Sequence, residues 1–166
     1  QQQDREGDER GDDLVLGEDV DLMEPCMATR SNIGRIIMEN VNETLTTYDV
    51  RTGQGVVPRL AESWEDQGNG TWRFHLHQGV KFSDGSAFDA GDVKASFERA
   101  MSDKLTCETP RYFGDTKLSF AVVDDKTIDI TADPAQPILP LLLSLVTIVP
   151  SETPLEFVRE PVGTGP

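Results

Sequence analysis

Hydrophobic and polar residues alternate most regularly near the middle of the chain, in the segment TWRFHLH. Trp72, Phe74 and Leu76 occupy every second position there, as in a β-strand that is buried on one face. The segment follows GNG, and an Asn-Gly pair between apolar-rich segments is a strong hairpin signal. The pattern therefore predicts a hairpin that joins AESWEDQ to TWRFHLH.

A helix is predicted shortly after this strand. Asp84 and the glycine that follows it form a turn between the two elements. Asp89 is placed to cap the helix, and Asp92 lies three residues on, at the positive end of the helix dipole. The remaining helical positions present one apolar face, which consists of Val93, Phe97, Ala100 and Met101.

The second half of the chain predicts another hairpin and a buried helix. Residues 118–123 and 127–131 have strand character and are joined by the polar turn 124–126. The apolar run ILPLLLSLVTIV follows, and a short buried helix is expected after its Pro140. Because this run has only 12 residues, it falls short of the roughly 20 that a membrane-spanning helix needs.

The first part of the chain predicts a polar leader followed by a folded start. Residues 1–13 contain no hydrophobic residue, so a disordered leader is expected. Residues 14–16 predict a short buried strand. Residues 48–57 are rich in turn signals. Between these segments, a helix capped by Ser31 is expected from apolar residues at helical spacing, namely Ile33, Ile36, Ile37, Val41 and Leu45.

The net charge of the chain argues against two classes of function, nucleic-acid binding and docking on anionic lipid. The net charge is −15, from 30 acidic and 15 basic residues. A nucleic-acid-binding protein needs a basic face that displaces counterions, so no nucleic-acid partner is expected. The same balance argues against docking on anionic lipid. The carboxylates are interpreted as a solvated surface.

Two groups of side chains are candidates for chemistry. His75 and His77 share one face of their strand and could begin a zinc or nickel site, but the chain has no third histidine. A solvent-facing strand edge is therefore the favoured interpretation. Asp84, Asp89 and Asp92 could include an acid–base pair, yet turn and helix-start positions already favour carboxylates. No catalytic residue, metal site or cofactor is assigned, and no enzyme activity is expected.

Several segments resemble a known family when they are taken in order. PRLAESW, TWRFHLHQGVKFSDG and DAGDVKASFERAM are followed by AVVDDKTIDIT and VGTGP. This order resembles the extracytoplasmic solute-binding proteins of family 5, which are the oligopeptide-, dipeptide- and nickel-binding components of ABC importers. The likeness extends over roughly residues 13–166. The chain departs from the family pattern at His77, where arginine is usual, and at Asp89, where threonine is usual.

The resemblance implies a mixed α/β fold, the N-terminal part of a type II periplasmic-binding-protein fold. It implies a leader at residues 1–13 and the start of the first ligand-binding lobe, with a short strand and a helix, at 14–45. A small accessory domain with β-hairpins and helices is expected at 46–155, and a crossover back to the first lobe at 156–166. Because family members are far longer, the chain is expected to be an N-terminal fragment without the second lobe.

The resemblance also implies a function. The protein is expected at the periplasm or cell surface, where it binds a peptide or another small polar solute and delivers it to ABC permease subunits. Nickel, haem and oligosaccharide stay open as cargo. A monomer is expected, with membrane contact only through a lipid anchor or the permease. Two alternatives stay open: a sensory ligand-binding domain, and a hydrolase that uses the clustered aspartates.

The resemblance places four residues in the ligand cleft, namely Thr29, Arg30, Ser31 and Asn32. The start of a helix offers free backbone N–H groups, and the guanidinium of Arg30 adds a fork of hydrogen-bond donors. An anionic or carbonyl-rich ligand could dock there. The alternative is ordinary capping by Ser31, with Arg30 in solvent.

A disulfide is expected between Cys26 and Cys107. They are the two cysteines of the chain, an even number in a protein that is expected outside the cytoplasm. They do not have the Cys-x-x-Cys spacing of a redox or zinc site. Two separate buried thiols are the alternative.

Overall fold

The computed structural model describes residues 24–27, 40–158 and 161–165. The expected leader, the strand at residues 14–16 and the expected cleft residues 29–32 lie outside these ranges. The strands of the described part are β1 (Thr46–Asp49), β2 (Gly55–Pro58), β3 (Ala61–Gly68), β4 (Thr71–Leu76), β5 (Lys117–Asp124) and β6 (Thr127–Asp133). Its α-helices are α1 (Ala90–Ala100), α2 (Thr109–Phe113) and α3 (Leu139–Leu142), and short 3-10 helices occupy Pro25–Met27 and Leu143–Leu145.

An antiparallel sheet with the strand order β3-β4-β6-β5 forms the centre of the described part. Both predicted hairpins are confirmed, since β3 pairs with β4 and β5 pairs with β6. The second hairpin is longer than predicted, because its strands begin at Lys117 and end at Asp133. The two hairpins join through β4 and β6, where Trp72 lies opposite Ile130 and Phe74 opposite Ile128.

Helix α1 packs its apolar face on this sheet. Val93 and Phe97 are fully buried, and the ring of Phe97 lies 5.1 Å from that of Phe120 on β5. The predicted capping is confirmed: the Asp92 N–H donates to the Asp89 carboxylate, and the Asp89 N–H donates to the Asp92 carboxylate. This reciprocal box satisfies two backbone donors that a helix start leaves unpaired.

The segment before β3 differs from the prediction. In place of a turn-rich loop at residues 48–57, β1 and β2 form a two-stranded antiparallel sheet in which Tyr48 lies opposite Val56. Leu45 is not helical, although its spacing fitted the expected helix; among the described residues of that segment, only 40–41 are helical. The carbonyl of Leu45 instead accepts from the backbone N–H groups of Arg59 and Ala61, so extended pairing overrides the helical spacing.

The apolar run after β6 forms less helix than predicted. Helix α3 begins at Leu139 and not after Pro140, and the 3-10 turn Leu143–Leu145 follows it. Proline fits within the first turn of a helix because its missing N–H would have had no partner there. Within the described ranges, the structure contains no helix that is long and apolar enough to cross a membrane.

Candidate functional site

A buried ion pair joins distant parts of the chain beside α1. The guanidinium of Arg99 donates from Nη1 to Oε1 of Glu24 at 2.6 Å and from Nη2 to Oε2 at 3.2 Å. The Glu24 side chain is 0% exposed and that of Arg99 is 5% exposed. Two charges stay buried only when they are paired and their remaining hydrogen-bonding atoms are satisfied.

Further hydrogen bonds complete the Glu24–Arg99 pair. Arg99 Nε donates to the carbonyl of Pro154 at 2.9 Å, and Nη2 also donates to the carbonyl of Glu156 at 2.8 Å. The Glu24 carboxylate also accepts from the backbone N–H groups of Cys26 at 3.2 Å and Val158 at 2.8 Å. The pair therefore fixes residues 24–27 and residues 154–158 on the same helix.

The Glu24–Arg99 pair belongs to a polar stripe on α1. Asp92, Ser96 and Arg99 recur at helical spacing and are buried. The Asp92 carboxylate accepts from Ser151 N–H at 2.8 Å. The Ser96 hydroxyl lies 2.9 Å from the Val149 nitrogen and 3.0 Å from its carbonyl oxygen. The stripe thus binds the backbone of residues 149–158. The sequence analysis missed it, although its i, i+4, i+7 spacing was a usable signal.

A disulfide and two hydrogen bonds attach residues 24–27 to further parts of the fold. The structure joins Cys26 and Cys107 in a disulfide with Cα atoms 5.2 Å apart. The Cys26 carbonyl accepts from Glu108 N–H at 3.2 Å, and the Pro25 carbonyl accepts from the hydroxyl of Thr147 at 2.8 Å. The start of the described chain is therefore held both on α1 and on the segment that precedes α2.

The VGTGP segment returns to residues 40–42. Gly165 N–H donates to the Val41 carbonyl at 3.0 Å, and the side-chain amide of Asn42 donates to the Val162 carbonyl at 3.0 Å. A Cβ at Gly163 would lie 2.6 Å from the carbonyl carbon of Val41, so this close approach of two backbones requires glycine. The last described segment therefore packs against residues 40–42, which precede β1.

A cavity of about 190 Å³ opens between these returning segments. Its walls are mainly apolar, from Pro25, Val149, Pro150, Pro154, Val158 and Val162, and its polar groups are Asp84, Glu152 and Thr153. Cavities that enclose a small ligand usually measure roughly 300 Å³ or more. The cavity could therefore hold a small apolar group, but it is too small to enclose a peptide by itself.

The three candidate aspartates take structural positions. The Asp84 carboxylate accepts from the Ser86 hydroxyl at 2.6 Å and the Ser86 N–H at 2.9 Å, and these bonds lower the pKa of Asp84. Burial raises the pKa of Asp92, while the N–H groups of Asp89 and Ser151 act in the opposite direction. Both Asp92 oxygens already accept backbone hydrogen bonds. This geometry gives no support to the hydrolase hypothesis.

The two histidines form separate pairs with carboxylates. His75 Nε2 lies 3.0 Å from Glu65 Oε1, and His77 Nδ1 lies 3.7 Å from Glu62 Oε2. The predicted strand edge was wrong, because β4 lies between β3 and β6 and ends before His77. Both histidine side chains are nevertheless partly exposed to solvent, by 34% and 45%. Within residues 24–27, 40–158 and 161–165, no group of three or more His, Cys, Asp or Glu side chains could hold a metal ion.

The chain is similar to known proteins over most of its length. The model of the family "Bacterial extracellular solute-binding proteins, family 5 Middle" matches residues 55–166, which is more than half of the chain. The chain belongs to this family. Its mixed α/β fold matches solved periplasmic binding proteins, among them one in complex with mannopinic acid from A. tumefaciens R10. That structure superposes with a TM-score of 0.77 at 29% identity, over 90% of this chain and 32% of that one.

Two curated family relatives carry peptide names. The glutathione-binding protein of Pectobacterium atrosepticum is 35% identical over 160 residues, which is 92% of this chain and 30% of that protein. The dipeptide-binding protein of Escherichia coli is 32% identical over 139 residues, which is 67% of this chain and 26% of that protein. The chain therefore spans about a quarter to a third of the length of these family members.

Proposed function

We propose that the protein containing this chain captures a peptide, or another small polar solute, outside the cytoplasmic membrane and delivers it to an ABC permease. The observation that carries the proposal is the family match over residues 55–166. Relatives that are named for glutathione and for dipeptides favour peptide as the cargo. A disulfide between Cys26 and Cys107 suits an exported protein.

The proposal assigns a mechanical role to the described part. In a binding protein that closes on its ligand, accessory segments must stay rigidly attached to the lobe that bears them. We assign residues 46–155 to the accessory domain and residues 156–166 to the crossover into the first lobe. The contact of VGTGP with residues 40–42 supports the crossover, because it returns the chain to residues that we assign to the first lobe. The Glu24–Arg99 pair supports a rigid attachment, because it joins Glu24 of that lobe to α1 of the accessory domain.

The cargo class is testable on the protein that contains this chain. Isothermal titration calorimetry with dipeptides, tripeptides and glutathione should give micromolar or tighter binding, about −8 kcal/mol. Mannopinic acid serves as the non-peptide comparison and should not bind. A correctly folded protein that binds none of the peptides refutes the peptide assignment. Binding of mannopinic acid alone reassigns the cargo class.

Arg30 is proposed to contact the cargo. Arg30→Ala should weaken peptide binding at least several-fold because a charge-assisted fork of donors is lost. Arg51→Ala is the matched control, because it removes the same charge from a residue that is exposed in the turn after β1. Equal affinity of the Arg30 and Arg51 variants would remove Arg30 from the binding site.

Because the cargo is proposed to be enclosed between two lobes, this chain alone is expected not to bind peptide. Small ligands bind in sites that bury most of their surface, and an open face recovers little beyond the entropy that association costs. The 166-residue chain should therefore fold and yet show no peptide binding by calorimetry. Micromolar binding by this chain alone would contradict the two-lobe mechanism.

A further inference from the structure

Two buried polar atoms lie where the VGTGP segment meets residues 40–42, and both lack a hydrogen-bond partner in the part of the chain that the structure describes. They are Oδ1 of Asn42 and Oγ1 of Thr164. Asn42 is 1% exposed, and its Nδ2 already donates to the Val162 carbonyl. Folded proteins contain few buried polar atoms that stay unpaired, because each one costs free energy. Two of them at one contact indicate that a further partner belongs there.

The VGTGP segment has two sides with different surroundings. A Cβ at Gly163 or at Gly165 would overlap the backbone carbonyls of residues 40–41, so both glycines face these residues. Successive residues of an extended segment face opposite sides. Val162 and Thr164 therefore lie on the other side, and Val162 lines the cavity of about 190 Å³ there. This second side combines the wall of an apolar cavity with an unpaired hydroxyl.

The chemistry of this side fits an extended peptide segment. A peptide backbone offers N–H donors for Oδ1 of Asn42 and carbonyl acceptors for the hydroxyl of Thr164. An apolar side chain of the same segment fits the cavity, whose walls are mainly apolar. A water molecule satisfies polar atoms but gains little beside apolar walls. The combination therefore favours a protein segment over solvent as the partner.

We propose that a segment of the first lobe, from outside this chain, packs against Val162 and pairs its backbone with Thr164 and Asn42. The chain spans 26% and 30% of the length of two curated relatives, so most of such a lobe lies outside it. VGTGP is the proposed crossover into the first lobe, which makes segments of that lobe its neighbours. This inference rests on the proposed division into lobes. It adds the side chains through which the crossover is joined to the rest of its lobe.

Thermal unfolding of the longer protein, followed by circular dichroism, tests the hydroxyl. Thr164→Val should lower the midpoint by at least about 2 °C, because a backbone group of the partner segment loses its hydrogen bond. Thr164→Ser keeps the hydroxyl and should recover most of this loss. Thr106→Val is the matched control, because it removes a hydroxyl from an exposed residue in the loop before α2. Its midpoint should equal that of the wild type.

The 166-residue chain should respond differently to the same substitution. No described residue bonds to the Thr164 hydroxyl, so Thr164→Val should leave the midpoint of the chain unchanged or raise it. Val162→Leu gives a second contrast. The added methylene has room in the cavity of the chain, whereas in the longer protein it overpacks against the proposed segment and should lower the midpoint.

Two stability results overturn the proposal. One is a Thr164→Val variant of the longer protein with an unchanged midpoint. The other is an equal loss in the chain and in the longer protein, since the partner would then lie within the chain. Weaker binding of peptide by Thr164→Val at unchanged stability also overturns it, because the hydroxyl would then contact the cargo. All midpoints are measured without cargo, so a wild type that binds no peptide refutes the proposed function and leaves this inference standing.

Discussion

Replacing Arg99 by methionine should be one of the most destabilising single substitutions in the described part of the chain. Methionine fills much of the same space but leaves the Glu24 carboxylate 0% exposed and without a counterion. It also leaves the carbonyls of Pro154 and Glu156 without their donors. Breaking a buried pair by removing one partner costs about 3–5 kcal/mol. That is a large fraction of the roughly 5–15 kcal/mol by which a domain is stable.

Urea denaturation, followed by circular dichroism, measures this loss. Arg111→Met is the matched control, because it removes the same charge from an exposed position on α2. Its free energy of unfolding should stay within about 0.5 kcal/mol of that of the wild type. The double variant Glu24→Leu, Arg99→Met should be less destabilised than Arg99→Met alone, because no charge is left buried. A loss below about 1 kcal/mol for Arg99→Met would refute the structural role of the pair.

Three further predictions concern the close approach at Gly163, the disulfide and an ion pair on the sheet. Gly163→Ala should destabilise by about 3 kcal/mol because its Cβ overlaps the Val41 backbone. In the control Gly91→Ala, on α1, the Cβ meets only the Asp89 side chain, and stability should stay within about 1 kcal/mol of the wild type because alanine is the better helix former. Equal urea midpoints of the two variants contradict the close approach. Replacing both Cys26 and Cys107 by serine should lower stability by roughly 4–5 kcal/mol, because the unfolded chain gains loop entropy. In the wild type, thiol titration of the denatured, non-reduced protein should find no free thiol, and two free thiols would contradict the disulfide. Hydrogen bonding to Arg73 lowers the pKa of Asp129 below its usual 3.8, so this ion pair stabilises the fold above that pH and is lost as pH falls through the lowered pKa. The pair is partly exposed, so the difference in unfolding free energy between wild type and Arg73→Ala should be small near neutrality. This difference should shrink below pH 3.8, and a difference that grows on acidification contradicts the assignment.

The sequence predicted the hairpin around Phe74 and the start of α1 from local signals. The strand pattern around Phe74 and the Asn-Gly turn lie within a few residues of each other, and so do the two carboxylates of the α1 capping box. These signals act through backbone geometry that neighbouring residues determine. The same logic failed at β1 and β2, because four-residue strands are too short to display alternation. It also failed at Leu45. The spacing of this residue fits a helix, but its carbonyl accepts hydrogen bonds from Ala61 of β3 and from Arg59, which precedes that strand.

The spacing of Asp92, Ser96 and Arg99 was visible in the sequence, but the partner of Arg99 was not, because it is distant in sequence. Glu24 and Arg99 are 75 residues apart, and neither has a neighbour that signals an ion pair. Tertiary pairing of this kind depends on which surfaces the fold brings together, and composition does not record that. For the expected cleft residue Arg30, which lies outside the described residues, the sequence-level prediction stays a prediction.

Helix α1 shows why the two faces of one element have different consequences. Its apolar face tolerates exchange among side chains of similar volume, since hydrophobic contacts are non-directional. Its polar stripe does not, because each hydrogen bond to residues 149–158 requires a donor and an acceptor in fixed positions. Substitutions on the apolar face should therefore change mainly the stability of the packing between α1 and the four-stranded sheet. Substitutions at Asp92, Ser96 or Arg99 should in addition displace residues 149–158, because the backbone of that segment loses the partners that hold it on α1.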